Sequence, residues 1–205
     1  MQLVLCLLLC ILLLLFVIIV GDWLMIGVAI PSFKKQYQKA YIIKNRNRMD
    51  LQKSTECSGF SMAYVLRSFG IEADGNDIYA KMPGKFKNGA VLPKNLKKLL
   101  RQYGFKVKYV KGTIESLKAE LCEENRVIAL IKTRPDKAWL HYVPIVGYDE
   151  TNIYIAESLD YLINCKEIYY NRSLTNYEFL KLWDTRMFYM PFYKNTFLVI
   201  KKADS

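Results

Sequence analysis

The sequence predicts an α+β domain preceded by one transmembrane helix. Two observations predict the domain: helical patterns dominate the first part of the chain after residue 50, and strand patterns become frequent only later. Regular alternation of strands and helices would instead indicate a parallel α/β sheet. The third observation is an uninterrupted apolar run from Leu3 to Val20, which predicts the transmembrane helix.

The apolar run is long enough to cross a bilayer. As a helix, its 18 residues would rise about 27 Å, close to the thickness of the hydrocarbon core. Asp22 interrupts the run, and apolar residues then continue to Ile30. A cleaved signal peptide would have a basic start, a shorter apolar stretch and a small-residue cleavage site, whereas the start Met1-Gln2 has no basic residue. We predict an uncleaved anchor over residues 1–30, with residues 3–30 in contact with a lipid bilayer.

Residues 31–50 are polar and basic, and they predict a juxtamembrane linker. Basic residues beside a span attract anionic lipid headgroups, and by the positive-inside rule they favour a cytoplasmic position for the domain that follows. The basic residues counted here are Lys34, Lys35, Lys39, Lys44, Arg46 and Arg48. The prediction is therefore a single-pass membrane protein whose domain faces the cytoplasm.

The positive charge of the chain does not indicate a nucleic-acid partner. All 30 basic residues but only 18 of the 19 acidic residues follow residue 30, so this part carries a formal charge of +12. Nucleic-acid-binding proteins cluster such charges and combine them with a recognition motif. Here the lysines are scattered and no such motif accompanies them, so we expect a solvated basic surface and no nucleic acid.

The remaining residues, 51–205, suffice for one domain with its own core. Apolar residues recur at helical spacing after Cys57, and Gly70 is the expected end of that helix. Ser54, Thr55 and Ser58 are its candidate N-caps. Further helices are predicted over 75–82, 92–104, 113–125 and 175–183, and strands over 105–110, 126–133, 141–148, 152–158 and 195–202. The third and fourth of these strands flank a short turn and predict a β-hairpin.

The five cysteines match neither a disulfide framework nor a metal site. Cys6 and Cys10 lie within the apolar run, and Cys57, Cys122 and Cys165 are far apart in sequence. A zinc site built from cysteine and histidine would lack ligands, because the chain has one histidine. We expect no metal and no cofactor. Cys122 and Cys165 are either buried thiols or a disulfide pair formed in an oxidising compartment.

Cys57 and His141 form the candidate catalytic pair. A cysteine acts as a nucleophile only as the thiolate, and the free N–H groups at a helix N-terminus stabilise that negative charge. A nearby imidazolium adds to the effect, and His141 is the only histidine able to supply it. Because Cys57 lies at the predicted start of its helix, the pair is a candidate nucleophile and general base.

The predicted hairpin brings a carboxylate near His141. A third residue that hydrogen-bonds the imidazole would fix its tautomer and orientation. Glu157, Ser158 and Asp160 lie at the same end of the hairpin as His141. With a closed four-residue turn His141 would face Asp160, whereas a β-bulge or a turn of different length would bring Glu157 onto the histidine face. The sequence leaves this choice open.

Acyl transfer also needs hydrogen-bond donors for the developing oxyanion. The backbone N–H of Cys57 is one candidate donor, and the side-chain amide of Gln52, five residues upstream, is the second. A glutamine at this position also fits an ordinary residue of the linker, so its role depends on the fold.

Five stretches of the chain resemble, in order, the signature segments of papain-like cysteine peptidases. Residues 52–70 resemble the nucleophile helix, residues 96–105 a helix that ends in a Tyr-Gly turn, and residues 127–131 a buried strand. Residues 141–149 resemble the histidine strand, and residues 153–158 the strand of the third catalytic residue. The set is most similar to the branch that processes bacteriocin leaders at a double glycine.

This resemblance implies a papain-like fold, with N-terminal helices packed on an antiparallel sheet, and a cysteine peptidase that works through a thioester. Together with the predicted span, it predicts a membrane-anchored peptidase. It implies that Cys57 is the nucleophile and His141 the base. It also implies that Glu157 is the orienting carboxylate and Gln52 the second oxyanion donor. The expected substrate is a peptide or leader sequence. A separate exporter is a further expected partner, because the chain contains no nucleotide-binding motif.

The chain departs from that branch at three points, which motivate alternative functions. Ser58 follows the cysteine where the branch has glycine, Glu157-Ser158 replaces an Asp-Pro pair, and the interval from Gln52 to Cys57 is one residue shorter. One alternative is a papain-like module that binds peptide without cleaving it. The Cys-His pair also suits an amidase or an acyltransferase, and the basic segment beside the span suits a membrane-surface adaptor.

Overall fold

The structure is a computed structural model that describes residues 2–25, 30–31, 36–187 and 193–203. The strands within them are β1 (Ile30–Pro31), β2 (Tyr41–Ile42), β3 (Phe105–Lys111), β4 (Arg126–Lys132), β5 (Leu140–Tyr148), β6 (Asn152–Ile155), β7 (Arg172–Thr175) and β8 (Thr196–Lys202). They form one sheet in the order β1-β3-β8-β4-β5-β6-β7, with β2 added beside β5. The β1–β3 pair is parallel, and the other pairs between described strands are antiparallel.

The helices are α1 (Gln2–Met25), α2 (Cys57–Ser68), α3 (Gly75–Ala80), α4 (Pro93–Gln102), α5 (Ile114–Cys122) and α6 (Asn176–Trp183). Helices α2 to α6 cover both faces of the sheet. Helices α2, α3 and α4 share one buried cluster with the sheet, whereas α5 and α6 share the other. Strands β4 and β5 are therefore buried on both sides, which explains their continuous apolar runs. The predicted α+β class with an antiparallel sheet is confirmed.

Helix α1 has the length and composition of a membrane span. Its segment Gln2–Val20 has a mean hydropathy of 3.8, and none of it is buried against the rest of the protein. A signal sequence near an N-terminus has the same properties, so the structure shows a helix that is able to cross a bilayer. Residues 26–29 of the predicted span lie outside the described residues, as do Lys34 and Lys35 of the predicted linker.

The predicted linker over residues 31–50 is wrong in its second half, which belongs to the folded domain. Strand β2 pairs with β5, and Ile43 is only 6% exposed in the core. The side-chain amides of Asn45 and Asn47 donate to the carbonyls of Ser68 and Tyr64, at 3.1 and 2.8 Å. The polar composition concealed these contacts, because it does not show that these asparagine side chains bond the carbonyls of a helix.

Helix α2 begins at Cys57, as predicted, but its cap differs from the prediction. Glu56 occupies the N-cap position, and no side chain caps the helix there, so the predicted caps Ser54, Thr55 and Ser58 are wrong. Glu56 instead accepts a hydrogen bond from the backbone N–H of Ser54 at 2.7 Å. The absence of a side-chain cap leaves the positive end of this helix available to the Cys57 sulfur.

Gly59 allows helix α2 to approach α3 closely, and we expect Gly59→Ala to destabilise the protein. A Cβ atom at this position would lie 2.4 Å from the carbonyl oxygen of Gly75 and 2.5 Å from the Cβ of Tyr79. Backbone atoms must shift to relieve such overlap, so we expect a loss of about 1–3 kcal/mol in the free energy of unfolding. Denaturant unfolding of the detergent-solubilised chain measures it.

Ser58→Ala is the matched control for that experiment. Ser58 is 1% exposed, and among the described residues nothing hydrogen-bonds its hydroxyl. Removing a buried hydroxyl without a partner is expected to change the free energy of unfolding by less than about 0.5 kcal/mol, or to increase it. Equal destabilisation by both variants would contradict the proposed close approach at Gly59.

The cysteines of the described residues are free thiols. The sulfur of Cys122 lies 2.9 Å from the hydroxyl oxygen of Tyr148, and it also accepts the backbone N–H of Gln38 at 3.5 Å. Of the two alternatives for Cys122 and Cys165, the structure has unpaired thiols, but both are partly exposed and not buried as predicted.

Candidate active site

The N-terminus of α2 is fixed against the start of β5. Cys57 is the first residue of the helix and is partly exposed. One turn later, the Ser61 hydroxyl donates to the backbone carbonyl of Tyr142 at 2.7 Å. Because Tyr142 directly follows His141, this hydrogen bond holds the thiol beside the histidine.

His141 is 1% exposed and contacts two other candidate residues. Its Nε2 atom lies 2.6 Å from Oε1 of Glu157. Cys57 lies close enough to the ring to help raise the pKa of His141. With Nε2 directed at the carboxylate, Nδ1 is the ring nitrogen left for the sulfur. The structure therefore brings Cys57, His141 and Glu157 together, with a hydrogen bond between the last two.

A β-bulge in the hairpin selects Glu157 over Asp160. Strands β5 and β6 start from the turn with Tyr148 opposite Ile153, and the register then shifts so that Ile145 lies opposite Ile155. The extra residue on β5 turns Glu157 to the same side of the hairpin as His141. Asp160 instead lies in an exposed 3₁₀ turn over Asp160–Leu162.

The Glu157 carboxylate is 1% exposed and is hydrogen-bonded at both oxygens. Besides His141, Oε1 accepts the backbone N–H groups of Ser158 at 2.9 Å and Leu159 at 2.8 Å. Oε2 accepts Nη1 of Arg172 at 2.7 Å. A buried carboxylate is tolerated only with such charge and hydrogen-bond partners.

The charges of the site shift the pKa values of His141 and Glu157 in opposite directions. Burial alone would lower the pKa of His141, but the charge of Glu157 and hydrogen bonds with Cys57 and Glu157 raise it to about 9. Burial alone would raise the pKa of Glu157, but the charges of His141 and Arg172 and the N–H of Leu159 lower it to about 2. Both groups are therefore charged near neutral pH.

Gln52 lies at the edge of this group of residues. Its side-chain oxygen accepts the Ser158 hydroxyl at 2.7 Å, and its backbone N–H donates to the Ser158 carbonyl at 2.9 Å. Its Nε2 donates to the Ser54 carbonyl at 2.6 Å. The amide nitrogen carries two hydrogens, so one remains for another acceptor.

Two residues of the site, Asn171 and Arg172, were not found from the sequence. Asn171 directly precedes strand β7, and Arg172 is the first residue of that strand, which the sequence did not predict. Arg172 lies opposite Ile155 of β6. Asn171 contacts the backbone of Glu157 twice: Oδ1 accepts its N–H at 2.6 Å, and Nδ2 donates to its carbonyl at 2.9 Å. In sequence, Asn171-Arg172-Ser173 matches a glycosylation acceptor, but the Asn171 side chain is buried and engaged.

The site contains no metal-binding arrangement among the residues that the structure describes. No group of three or more histidine, cysteine, aspartate or glutamate side chains there is arranged to hold an ion. The available chemistry is that of a thiol, an imidazole and a carboxylate at a helix N-terminus.

Comparison with known proteins identifies one family. The model of the Peptidase_C39 like family matches residues 33–188, about three quarters of the chain. No curated protein matches the chain significantly.

Several solved structures share the fold at low sequence identity. A putative C39-like peptidase from Bacillus anthracis is 16% identical with a TM-score of 0.62, over 82% of this chain and 100% of that one. The peptidase domain of Streptococcus ComA, a bi-functional ABC transporter involved in a quorum sensing pathway, is 11% identical with a TM-score of 0.57, over 78% and 100%. Xylellain, a cysteine protease from Xylella fastidiosa, is 11% identical with a TM-score of 0.55, over 86% and 92%.

Proposed function

The chain belongs to the Peptidase_C39 like family, and from this premise we propose that it is a membrane-anchored cysteine peptidase that cleaves a peptide or leader sequence. The observation that carries the proposal is the placement of Cys57 at the start of α2 close to His141, whose Nε2 lies 2.6 Å from Oε1 of Glu157. It joins a nucleophile to a base and the base to an orienting carboxylate, as nucleophilic catalysis requires.

Acylation begins with the thiolate of Cys57 and the imidazolium of His141. The sulfur attacks the carbonyl carbon of the scissile peptide bond, and the carbonyl π electrons move to oxygen to form a tetrahedral oxyanion. The backbone N–H of Cys57 and the remaining Nε2 hydrogen of Gln52 are the proposed donors to that oxygen. As the oxyanion collapses, the C–N bond breaks, and His141 donates its proton to the departing amine.

Deacylation returns the enzyme to its starting state. His141, now neutral, accepts a proton from water as the water oxygen attacks the thioester carbon. Collapse of the second tetrahedral intermediate breaks the C–S bond, releases the carboxylic acid and restores the thiolate–imidazolium pair. Throughout both steps Glu157 holds the ring through Nε2, so that Nδ1 keeps facing the sulfur and substrate.

The substrate class is proposed from the relatives. One solved relative is a double glycine motif protease from an AMS/PCAT transporter, in complex with its leader peptide; it is 16% identical with a TM-score of 0.50, over 85% of this chain and 99% of that one. The ComA domain also belongs to a transporter. We infer that this chain cleaves a comparable leader peptide and serves a separate exporter.

The proposed location depends on helix α1. Its apolar segment Gln2–Val20 is suited to a single span, and the basic residues that follow it favour a cytoplasmic domain. Because β2 and Ile43 belong to the folded domain, we propose that the anchor is joined to it by a short connection. Such an anchor would keep the site close to a membrane exporter.

A peptide-based thiol probe tests the proposed activity. We expect a probe that carries an electrophile after a double glycine to attach to Cys57, and the corresponding peptides to be cleaved after that pair. Cys122 and Cys165 are internal controls, since both are partly exposed thiols and should stay unlabelled. Binding of the peptide without labelling or cleavage would favour a non-catalytic binding module. Transfer of the acyl group to an added amine, without hydrolysis, would favour an acyltransferase.

A further inference from the structure

We propose that Arg172 is a positioning residue, which holds the Glu157 carboxylate so that one oxygen always faces His141. This inference rests on the proposed peptidase function and extends it by one residue. It starts from the different hydrogen-bond partners of the two carboxylate oxygens. Oε1 is hydrogen-bonded to Nε2 of His141 and accepts two backbone N–H groups, whereas Oε2 accepts a hydrogen bond from the guanidinium of Arg172 at 2.7 Å.

A glutamate needs such a restraint more than an aspartate does. Its side chain has one additional rotatable bond, so a free carboxylate would lose more rotamer entropy when held against the imidazole. The guanidinium opposes rotation by binding the oxygen that does not contact His141. The backbone of the same residue is restrained by Asn171, which contacts both the N–H and the carbonyl of Glu157.

The position of Arg172 follows from the sheet. Strand β7 pairs with β6, and Arg172 lies opposite Ile155, two residues before Glu157. Arg172 is 4% exposed, so the ion pair is shielded from water and salt. Strand β7 is the last strand of the sheet, and its pairing with β6 fixes the backbone of Arg172, which suits this charge to positioning.

The charges show why this arginine affects catalysis. When Cys57 is a thiolate and His141 an imidazolium, Glu157 and Arg172 add a second pair of opposite charges in the same buried region. Without the guanidinium, the site loses one positive charge and the carboxylate is free to turn away from Nε2 of His141. Both changes make a thiolate–imidazolium pair less favourable, because the site becomes more negative and His141 loses its orienting partner.

Arg172→Met tests the proposal through the alkylation of Cys57 by chloroacetamide, followed by mass spectrometry of the detergent-solubilised full chain. Methionine keeps an unbranched side chain and removes the charge. We expect the acid limb of the pH–rate profile to move to higher pH by about one unit, with a roughly tenfold slower reaction at pH 5. Arg172→Lys should restore part of the rate, and Arg134→Met, at an exposed ion pair with Asp136, should leave the profile unchanged.

A double-mutant cycle separates positioning from a structural role. If Arg172 acts through the carboxylate, Arg172→Met should change the alkylation rate by less than twofold when Glu157 is already glutamine. Additive losses, or an unshifted acid limb in a variant that unfolds cooperatively, would overturn the proposal. Alkylation needs no peptide substrate, so a wild type that alkylates normally but cleaves no peptide would refute the proposed function while leaving this test valid.

Discussion

Cys57→Ala is expected to lower kcat/KM for peptide cleavage by about 10⁴-fold or more, to the background of the assay. Alanine removes the atom that forms the thioester, so no acyl-enzyme can accumulate and His141 has no partner to deprotonate. Loss of a nucleophile that works as part of a unit is among the largest single effects known in enzymes. The measurement is the initial rate of cleavage of a double-glycine peptide, followed by mass spectrometry.

Two further variants are controls for the loss of cleavage activity in Cys57→Ala. Cys165→Ala removes another partly exposed thiol and should retain wild-type cleavage. Cys57→Ser keeps the shape but offers a hydroxyl that is not ionised at neutral pH, so it should lose nearly as much activity as alanine. Cleavage by Cys57→Ala at more than a tenth of the wild-type rate would remove the thiol from the mechanism, and with it the proposed thioester.

His141→Asn is expected to lower kcat/KM by about 10³-fold or more while the fold is retained. An asparagine amide can still donate a hydrogen bond to Glu157, but it cannot carry a proton between sulfur, leaving amine and water. The losses should appear mainly in kcat, because the imidazole acts on the reacting atoms and not on the rest of the peptide. Steady-state kinetics of purified protein measures this, and unchanged kcat would exclude His141 as the base.

His141→Asn should also change how the free energy of unfolding depends on pH. The pKa of His141 is raised from 6.5 to about 9 in the folded protein. Its protonation therefore stabilises the fold fully below about pH 6.5, and this contribution is lost as the pH rises through 9. We expect the wild type to lose roughly 2–3 kcal/mol more unfolding free energy than His141→Asn between these values. Parallel stability profiles would contradict the buried ion pair of His141 and Glu157.

The sequence by itself determined most elements of the domain and the candidate catalytic pair. Helix α2 starts at Cys57, and Thr113 caps helix α5 as predicted. Both features were predictable because apolar periodicity and capping residues are local signals. His141 followed from its being the single histidine of the chain. The apolar stretch of α1 was equally evident, since length and composition are properties of the segment alone.

Only the tertiary structure decided which carboxylate serves His141. The choice depends on one extra residue between Ile145 and Gly147 in β5. Beside that bulge, β2 approaches so closely that a Cβ on Gly147 would lie 2.6 Å from the carbonyl oxygen of Tyr41. A strand brought from more than a hundred residues away therefore contacts the bulge, and no local pattern in the hairpin reports that contact.

The same reason explains why Arg172 and the first strands of the domain escaped the sequence analysis. Strands β2 and β7 span two and four residues, too few for a reliable alternation of apolar and polar side chains. Their residues acquire a role only when pairing with β5 and β6 places them beside the site. Periodicity thus determined the elements, whereas strand pairing over long sequence distances determined the partners of Glu157.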